Sequence, residues 1–370
     1  MSQLGQDYYV LGDNMVNTVY PSVVKNSDVK WETVEDFNFG LDYGLFDNRL
    51  SGSFEYYVKN TRDMLFLKAY PSYSGYPGDA KIWTNVGSMR SKGFEMSMSY
   101  NDQWGDFTLG ATLNLTTFNV EMTELTGDKD PLYGNGERTK TVQGDEPGYF
   151  YGYVTDGLFQ NQTELNRHTN NEGKFLQPNA KVGDIRFKDL NGKLDAYDRT
   201  KIGSPWADVT MGLNLNFGWK NFDLVANFYA SIGNDLVNEN IKELYNTSGA
   251  GGKTNKVSGL GEMAWHGEGT SNYVPRLSVE DHNENFAKFS SFYVEDGSYL
   301  RLKNLQLGYT FKNIPMIKKL RLYVAGQNLF TITNFTGVEP EVSGSVTSFG
   351  FAGWTYPVQR VYSVGANITF

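Results

Sequence analysis

The last ten residues, "VYSVGANITF", alternate between apolar and small or polar side chains. One series consists of Tyr362, Val364, Ala366, Ile368 and Phe370, and the other of Ser363, Gly365, Asn367 and Thr369. Successive side chains of a strand point to opposite faces, so the segment predicts a strand with one apolar face. Such a face meets a protein core in a soluble protein and lipid in an outer-membrane barrel. The alternation restricts the chain to β-structure without choosing between these two environments.

The same alternation recurs along the chain. It covers residues 37–45, 50–58, 94–100, 107–115, 209–219, 222–228, 305–311, 320–324 and 361–370. That makes about nine strands, most of them near the 9–11 residues that a tilted strand needs to cross a bilayer. No apolar run approaches the roughly 20 residues of a membrane helix, and mean hydropathy is −0.46. The best candidate for a short helix is 234–245.

The connections between these strands alternate between short and long. Short ones are predicted at 46–49, 101–106, 220–221 and 312–319, and long ones at 61–90, 119–207, 233–296 and 332–357. Outer-membrane barrels have this asymmetry, whereas soluble sandwiches have turn signals every 8–12 residues or so. Aromatic residues at predicted strand ends suit the two bilayer boundaries: Trp31, Tyr100, Trp104, Trp206, Phe217, Trp219, Phe311 and Phe370. The sequence therefore predicts an all-β, transmembrane antiparallel β-barrel in the outer membrane, with long extracellular loops.

The number of crossings indicates a partial barrel. If the short connections share one side of the membrane, strands 37–45 and 361–370 both run inward from outside. An odd number of crossings follows, although bacterial single-chain barrels have even numbers. We therefore expect about nine or ten strands whose outer edges pair with strands from elsewhere. A missed strand among residues 8–20 would overturn this inference.

Composition excludes several classes of function. A net charge of −9 argues against nucleic-acid binding, which needs a basic surface. Cysteine is absent, which excludes thiol catalysis and disulfides. His168, His266 and His282 have no partner at zinc spacing and no nucleophile motif. We therefore expect no enzymatic activity, and no cofactor apart from the cation considered below.

Five segments, in order along the chain, resemble the SusC/RagA-like TonB-dependent transporters of Bacteroidetes outer membranes. They are "VKWETVEDFNFGLDYGLFDNRLSGSFEYYVKNTRDML", "YFYGYVTDGLFQN", "GDIRFKDLNGKLDAYDR", "SYLRLKNLQLGYTF" and "LRLYVAGQNLFTITNFTGVEPEV". The resemblance spans residues 29 to 370 and ends on a strand with a terminal aromatic. It implies that residues 1–370 are the C-terminal part of a barrel of about 22 strands. The signal peptide, TonB box and plug domain would then lie before Met1.

The resemblance also implies a function and partners. The function is uptake of an oligosaccharide or peptide, driven through TonB. The partners are the N-terminal barrel strands and plug, outer-membrane lipid, and a SusD-like surface lipoprotein that meets loops 119–207 and 233–296. The terminal strand would serve as an assembly signal through Tyr362, Val364, Ile368 and Phe370.

Candidate substrate contacts are the loop aromatics Tyr149, Tyr151, Tyr153, Trp265 and Tyr273, whose rings suit sugar faces. Such rings also pack on partner proteins or on one another. A polar lumen wall is predicted from Asn38, Asp42, Glu55, Glu95, Asn114, Asn214, Asn216 and Gln306. The alternative is that these side chains only hydrogen-bond their neighbours or a plug.

A loop rich in oxygen ligands is the candidate metal site. Asp189, Asn191, Asp195 and Asp198 could hold calcium around the turn at Gly192. The related transporters often carry DxNGDGxID here, whereas this chain continues from Gly192 to Lys193 and lacks about two residues, including one acid. An EF-hand loop needs ligands at fixed steps. The alternative is a polar turn.

Two further classes of protein fit parts of the pattern. A passive porin or small stand-alone barrel would fold from this chain alone and work without TonB. A soluble carbohydrate-binding β-sandwich would place the apolar series in a closed core.

Overall fold

The computed structural model describes residues 3–69, 73, 81–125, 131–249, 251–312 and 314–370. The strands are β1 Gln3–Leu11, β2 Asn14–Val24, β3 Thr33–Leu45, β4 Leu50–Ala69, β5 Lys81–Trp104, β6 Phe107–Leu125, β7 Leu132–Gly134, β8 Thr139–Thr141, β9 Tyr149–Tyr153, β10 Thr155–Leu158, β11 Ile185–Phe187, β12 Arg199–Gly203, β13 Val209–Trp219, β14 Phe222–Ile232, β15 Asp235–Asn238, β16 Val294–Asp296, β17 Tyr299–Phe311, β18 Lys319–Thr333, β19 Phe351–Ala352 and β20 Val361–Thr369. The helices are α1 Gln162–Arg167, α2 Ile241–Leu244 and α3 Leu260–Met263. Within the described ranges, no helix is long and apolar enough to cross a membrane.

The largest unit is an eleven-stranded sheet, which we call the wall. Nine of its strands form an antiparallel series in the order β3-β4-β5-β6-β13-β14-β17-β18-β20. Pairing is continuous from Val209 to Trp219 on both sides of β13. In the described part of the chain, β3 pairs only with β4 and β20 only with β18, so the series is open at both ends. This confirms the prediction of a partial antiparallel barrel.

The other two strands of the wall form a hairpin that the sequence did not predict. β1 and β2 pair with each other and join the wall through Val23↔Lys81 and Val24↔Ile82. The run Tyr8-Tyr9-Val10-Leu11 obscures the alternation, because four large apolar residues follow one another. The sequence thus missed strands in this region, and with both of them the sheet has eleven strands, which is again an odd number.

The prediction of a loop over residues 61–90 was wrong for most of that range. β4 continues to Ala69 and β5 begins at Lys81, while residues 70–72 and 74–80 lie outside the described part. The pairing of these strands shifts register between Thr61 and Met64, and Asp63 adopts a φ of 56°. A bulge of this kind interrupts the alternation without ending the strand, which is why the sequence pattern stops early.

The apolar face of the wall is not covered by a second layer. Phe39 is 66% exposed and Val364 is 84% exposed, and none of the three buried hydrophobic clusters contains them. Aromatic rings gather at the short turns, where Trp104 lies 6.0 Å from Phe107 between ring centroids. The arrangement contradicts the β-sandwich alternative, because a sandwich would bury this face.

The long connections fold together into what we call the loop layer, residues 131–208, 233–298 and 334–360. It contains three small sheets, ordered β12-β9-β8-β7, β10-β11 and β16-β15-β19. Its core consists of Phe150, Leu158, Ile185, Phe187, Val237, Ile241, Phe286, Phe292 and Tyr293. The helix predicted within 234–245 is confirmed only for α2, because 235–238 forms β15. The loop layer therefore has a conventional core, unlike the wall.

Candidate functional site

The polar face of the wall carries a ladder of asparagines. Asn227 Nδ2 donates to Asn214 Oδ1 at 2.5 Å, and Asn304 Nδ2 donates to Asn227 Oδ1 at 3.1 Å. The three residues lie on adjacent strands and oppose each other in register. The ladder supports the prediction of a polar inner wall, and it also shows that Asn214 bonds to a neighbour.

The predicted acidic residues lie on the same polar face. Glu55 and Glu95 are direct partners in the β4–β5 register, and Asn38 Nδ2 donates to Glu55 Oε2 at 2.9 Å. Like charges opposite each other destabilise a strand pair, so this pair needs a compensating donor such as Asn38. The strand alternation places the other predicted wall residues on this face as well: Asp42, Asn114, Asn216 and Gln306.

An ion pair near the short turns was not predicted. Arg321 Nε donates to Asp223 Oδ1 at 2.9 Å, although β17 lies between their strands. Gly308 makes room for the pair, because a Cβ there would lie 2.6 Å from both side chains. Asp223 also borders a recess of about 630 Å³ on the polar face. The pair could have been suspected from Gly308, the small inward residue between two opposite charges.

A buried ion cluster joins the wall to the loop layer. Arg301, whose side chain is 3% exposed, donates to Glu339 at 2.5 Å and to Glu341 at 2.8 Å. Its Nε also bonds Thr331 Oγ1 at 2.8 Å, and Lys303 lies 2.5 Å from Glu341. The cluster fixes the segment after β18 against the wall. The sequence did not indicate it, because the carboxylates lie 38 and 40 residues after Arg301.

The three predicted tyrosines of β9 share one face of their sheet. Tyr149 is 5% exposed, and burial raises its pKa to about 12. Lys140 Nζ lies 4.5 Å from the Tyr151 ring centroid, and Arg199 Cζ lies 4.6 Å from it. The more distant Lys288 is 5.9 Å from the Tyr153 ring. These cations already occupy positions over the rings, so sugar contact by the tyrosines stays a prediction.

The other two predicted aromatics pack within the loop layer. Trp265 covers Gly183, where a Cβ would lie 2.2 Å from the indole, and its Nε1 donates to Gln160 Oε1 at 3.3 Å. Tyr273 donates its hydroxyl to Phe292 O at 3.2 Å, and the two rings lie 4.9 Å apart. Packing of the rings on their own layer is the alternative raised by the sequence, and substrate contact stays a prediction here too.

The side chains of the predicted calcium loop bond to backbone N–H groups. Both carboxylate oxygens of Asp189 accept from Gly192 N at 2.9 Å, and Asn191 Oδ1 accepts from Lys193 N at 3.1 Å. Asp198 accepts from Leu190 N and from Asp195 N, each at 2.7 Å, and Asp195 accepts from Tyr197 N at 2.9 Å. Among the described residues, no three acidic or histidine side chains form a metal-binding group. These bonds hold the loop in a polar turn, and calcium binding stays a prediction.

The terminal strand places its apolar series on the open face. Exposed fractions are 73% for Tyr362, 84% for Val364, 50% for Ile368 and 77% for Phe370. β20 pairs with β18 from Lys319↔Thr369 to Gln327↔Val361. The strand and its alternation are confirmed, and its role as an assembly signal stays a prediction.

The three histidines have separate partners. His168 packs edge-on against Phe159 at 5.2 Å, and burial lowers its pKa. His266 Nδ1 lies 2.9 Å from Ala264 O, and His282 lies 2.5 Å from Glu280. The three histidines therefore contact different residues of the loop layer.

The chain resembles known outer-membrane proteins over its whole length. The family described as "TonB dependent receptor-like, beta-barrel" matches residues 1–329. TonB-dependent receptor P3 of Formosa agariphila is 35% identical over 398 residues, covering 100% of this chain and 37% of that protein. TonB-dependent receptor SusC of Bacteroides thetaiotaomicron is 26% identical, covering 98% of this chain and 34% of SusC.

A solved structure has the same fold. The RagAB peptide transporter aligns with a TM-score of 0.79 and 25% identity, covering 100% of this chain and 38% of the matched chain. The chain thus spans little more than a third of the length of these relatives. The resemblance noted in the sequence is confirmed. The chain belongs to the TonB-dependent receptor β-barrel family, with SusC/RagA-like relatives, and is an outer-membrane protein.

Proposed function

We propose that the protein takes part in TonB-driven uptake of an oligosaccharide or peptide across the outer membrane. The observation that carries the proposal is the two-faced wall in a member of this family. Its apolar face is uncovered, and its polar face is organised by Asn214, Asn227 and Asn304. A polar face of this kind lines the lumen of a barrel and contributes to its selectivity.

The proposal includes further strands and a plug. The edges β3 and β20 have no second partner strand in the described part of the chain. Unpaired edge groups cost several kcal/mol each in hydrocarbon, which supports completion of the barrel by other strands. A SusD-like lipoprotein over the loop layer belongs to the same proposal. It is supported by the likeness to SusC and RagAB and by a loop layer large enough to have its own core.

Uptake in cells tests the function. A strain that lacks this gene should lose import of a labelled oligosaccharide or peptide pool that the parent strain imports. Loss of TonB, or dissipation of the proton-motive force, should abolish the same import. Influx of a small diffusible solute is the control for membrane integrity. Import that continues without TonB would contradict the proposal and favour the passive porin.

A further inference from the structure

A pocket of about 340 Å³ lies where the polar face of the wall meets the loop layer. Thr210, Tyr229 and Tyr299 line it from the wall, and Trp206, Glu341 and Phe349 line it from the loop layer. Its volume is at the lower end of the roughly 300–1,000 Å³ of small-molecule sites. The pocket therefore has room for one unit of an oligomer rather than for a whole oligomer.

Aromatic rings line both sides of this pocket. The Tyr229 and Tyr299 rings lie 6.0 Å apart on neighbouring strands of the wall. Trp206 lies 5.9 Å from Phe349 and meets Phe118 edge-on at 6.0 Å. Trp206 is anchored by its Nε1, which donates to Pro147 O at 2.8 Å. Arg301 lies 5.5 Å from the Tyr299 ring centroid and Lys303 lies 5.6 Å from the Tyr229 ring centroid. Trp206 and Phe349 therefore supply the apolar surfaces that suit the C–H face of a flat ring.

Hydroxyl groups supply much of the polar lining, beside the Asn234 amide and the Glu341 carboxylate. In the described part of the chain, no hydrogen bond from a protein group satisfies the hydroxyls of Tyr229, Tyr299 or Thr210. A hydroxyl can both donate and accept, so three such groups can bond a ligand that carries several hydroxyls of its own. An apolar amino-acid side chain that displaced water from these hydroxyls would leave all three without a partner, which is unfavourable.

The carboxylate that lines the pocket is already paired. Glu341 bonds to Arg301 and Lys303, and Glu339 bonds to Arg301. Two cations and two carboxylates thus form a closed set. Among the residues that line the pocket, only Glu341 is charged, so the lining offers no cation to an acidic sugar. The lining instead combines apolar ring surfaces with neutral hydroxyls.

We propose that this pocket binds one uncharged sugar residue of an oligosaccharide. The inference rests on the proposed uptake function, and it selects the sugar over the peptide alternative. Tyr229 and Tyr299 contribute their hydroxyls to the sugar, and the pocket sets the preference for an uncharged unit at this position.

The test is a binding measurement on the protein purified in detergent from outer membranes. The probes are fluorescently labelled pools of uncharged oligosaccharides, of uronic-acid oligosaccharides and of short peptides. The double variant Tyr229→Phe and Tyr299→Phe keeps both rings and removes both hydroxyls. Binding of the uncharged pool should weaken about tenfold, as expected for the loss of two hydrogen bonds.

The matched control is Tyr197→Phe, which removes a hydroxyl from a ring that is 83% exposed on another loop. This variant should bind like the unaltered protein. Unchanged binding by the double variant, or failure of the unaltered protein to prefer the uncharged pool, would overturn the proposal. The assay contains no TonB, so a binding result does not depend on transport. Import that continues in cells without TonB would contradict the uptake function. Failure to prefer uncharged sugars in detergent would contradict the pocket assignment.

Discussion

The wall and the loop layer differ in how far they expose the same residue type. Phe39 of the wall is 66% exposed, while Phe187 of the loop layer is fully buried among other rings. Both phenylalanines lie on strands, so local conformation does not explain the difference. The surrounding medium explains the difference in exposure. Lipid covers the apolar face of the wall, whereas the loop layer lies in water and must bury its own rings.

The two regions also differ in how their backbone N–H and C=O groups are hydrogen-bonded. In the wall, strand pairs with strand over long uninterrupted registers such as β13–β14. In the loop layer, buried amides take over part of this role beside β11. Gln177 accepts from Phe187 N at 2.8 Å, and Asn285 accepts from Ile185 N at 2.9 Å. Regular pairing suits a segment in hydrocarbon, while side-chain amides suit a short strand in a folded loop.

The largest expected effect separates the two regions. Phe187→Ala should destabilise the loop layer by about 3–5 kcal/mol, because it empties a fully buried site. The wall should keep its strands. Pulse proteolysis in urea measures the loop layer, and circular dichroism follows the wall. Leu190→Ala, at a residue that is 51% exposed nearby, is the control and should change little. Equal loss in both regions would show that they unfold as one unit.

The next prediction concerns the junction of the two regions. Arg301→Met should leave Glu339, whose side chain is 9% exposed, buried without a cation. Breaking such a pair costs roughly 3–5 kcal/mol. Cleavage of segment 334–360 by an added protease should accelerate accordingly. Lys303→Met should have a smaller effect, because the Lys303 side chain is 33% exposed and Glu341 keeps Arg301. If the two variants were cleaved equally fast, the buried cluster would not be what holds the segment.

The third prediction contrasts the two faces of one strand. Leu213→Arg should cost roughly 2–4 kcal/mol, because it places a charge on the lipid face near the middle of β13. Gly212→Arg is the matched control on the polar face, where an added Cβ meets nothing within 4 Å. The free energy of unfolding in lipid vesicles should fall for the first variant and stay nearly constant for the second. A reversed order would assign the faces the other way round.

The sequence predicts the wall better than the loop layer, for a physical reason. Strict alternation arises because the two faces of a strand meet different media. It correctly predicted β13, β14 and β20. Where neighbouring residues were all apolar, as at Tyr8 to Leu11, the same rule missed a hairpin. Where a bulge shifted the phase, as after Thr61, it ended the strand too early.

The candidate site was harder to predict, because it depends on contacts between distant segments. The sequence predicts the tyrosines of β9 as substrate contacts, yet cations from β8 and β12 lie over the Tyr151 ring. Trp206, Tyr229 and Tyr299 come from three separate segments, and only the fold brings them to one pocket. No spacing rule connects such residues, whereas a strand pattern is local by nature.

The most direct measurement uses the absence of cysteine in this chain. Single cysteines placed from Met211 to Phe217 can each carry a nitroxide spin label in the protein reconstituted into lipid vesicles. Lipid contact at alternate positions predicts high oxygen accessibility at 211, 213, 215 and 217, and high accessibility to a water-soluble nickel complex at 212, 214 and 216. Low accessibility to both reagents at the odd positions would place them in a protein core and contradict a lipid-facing wall.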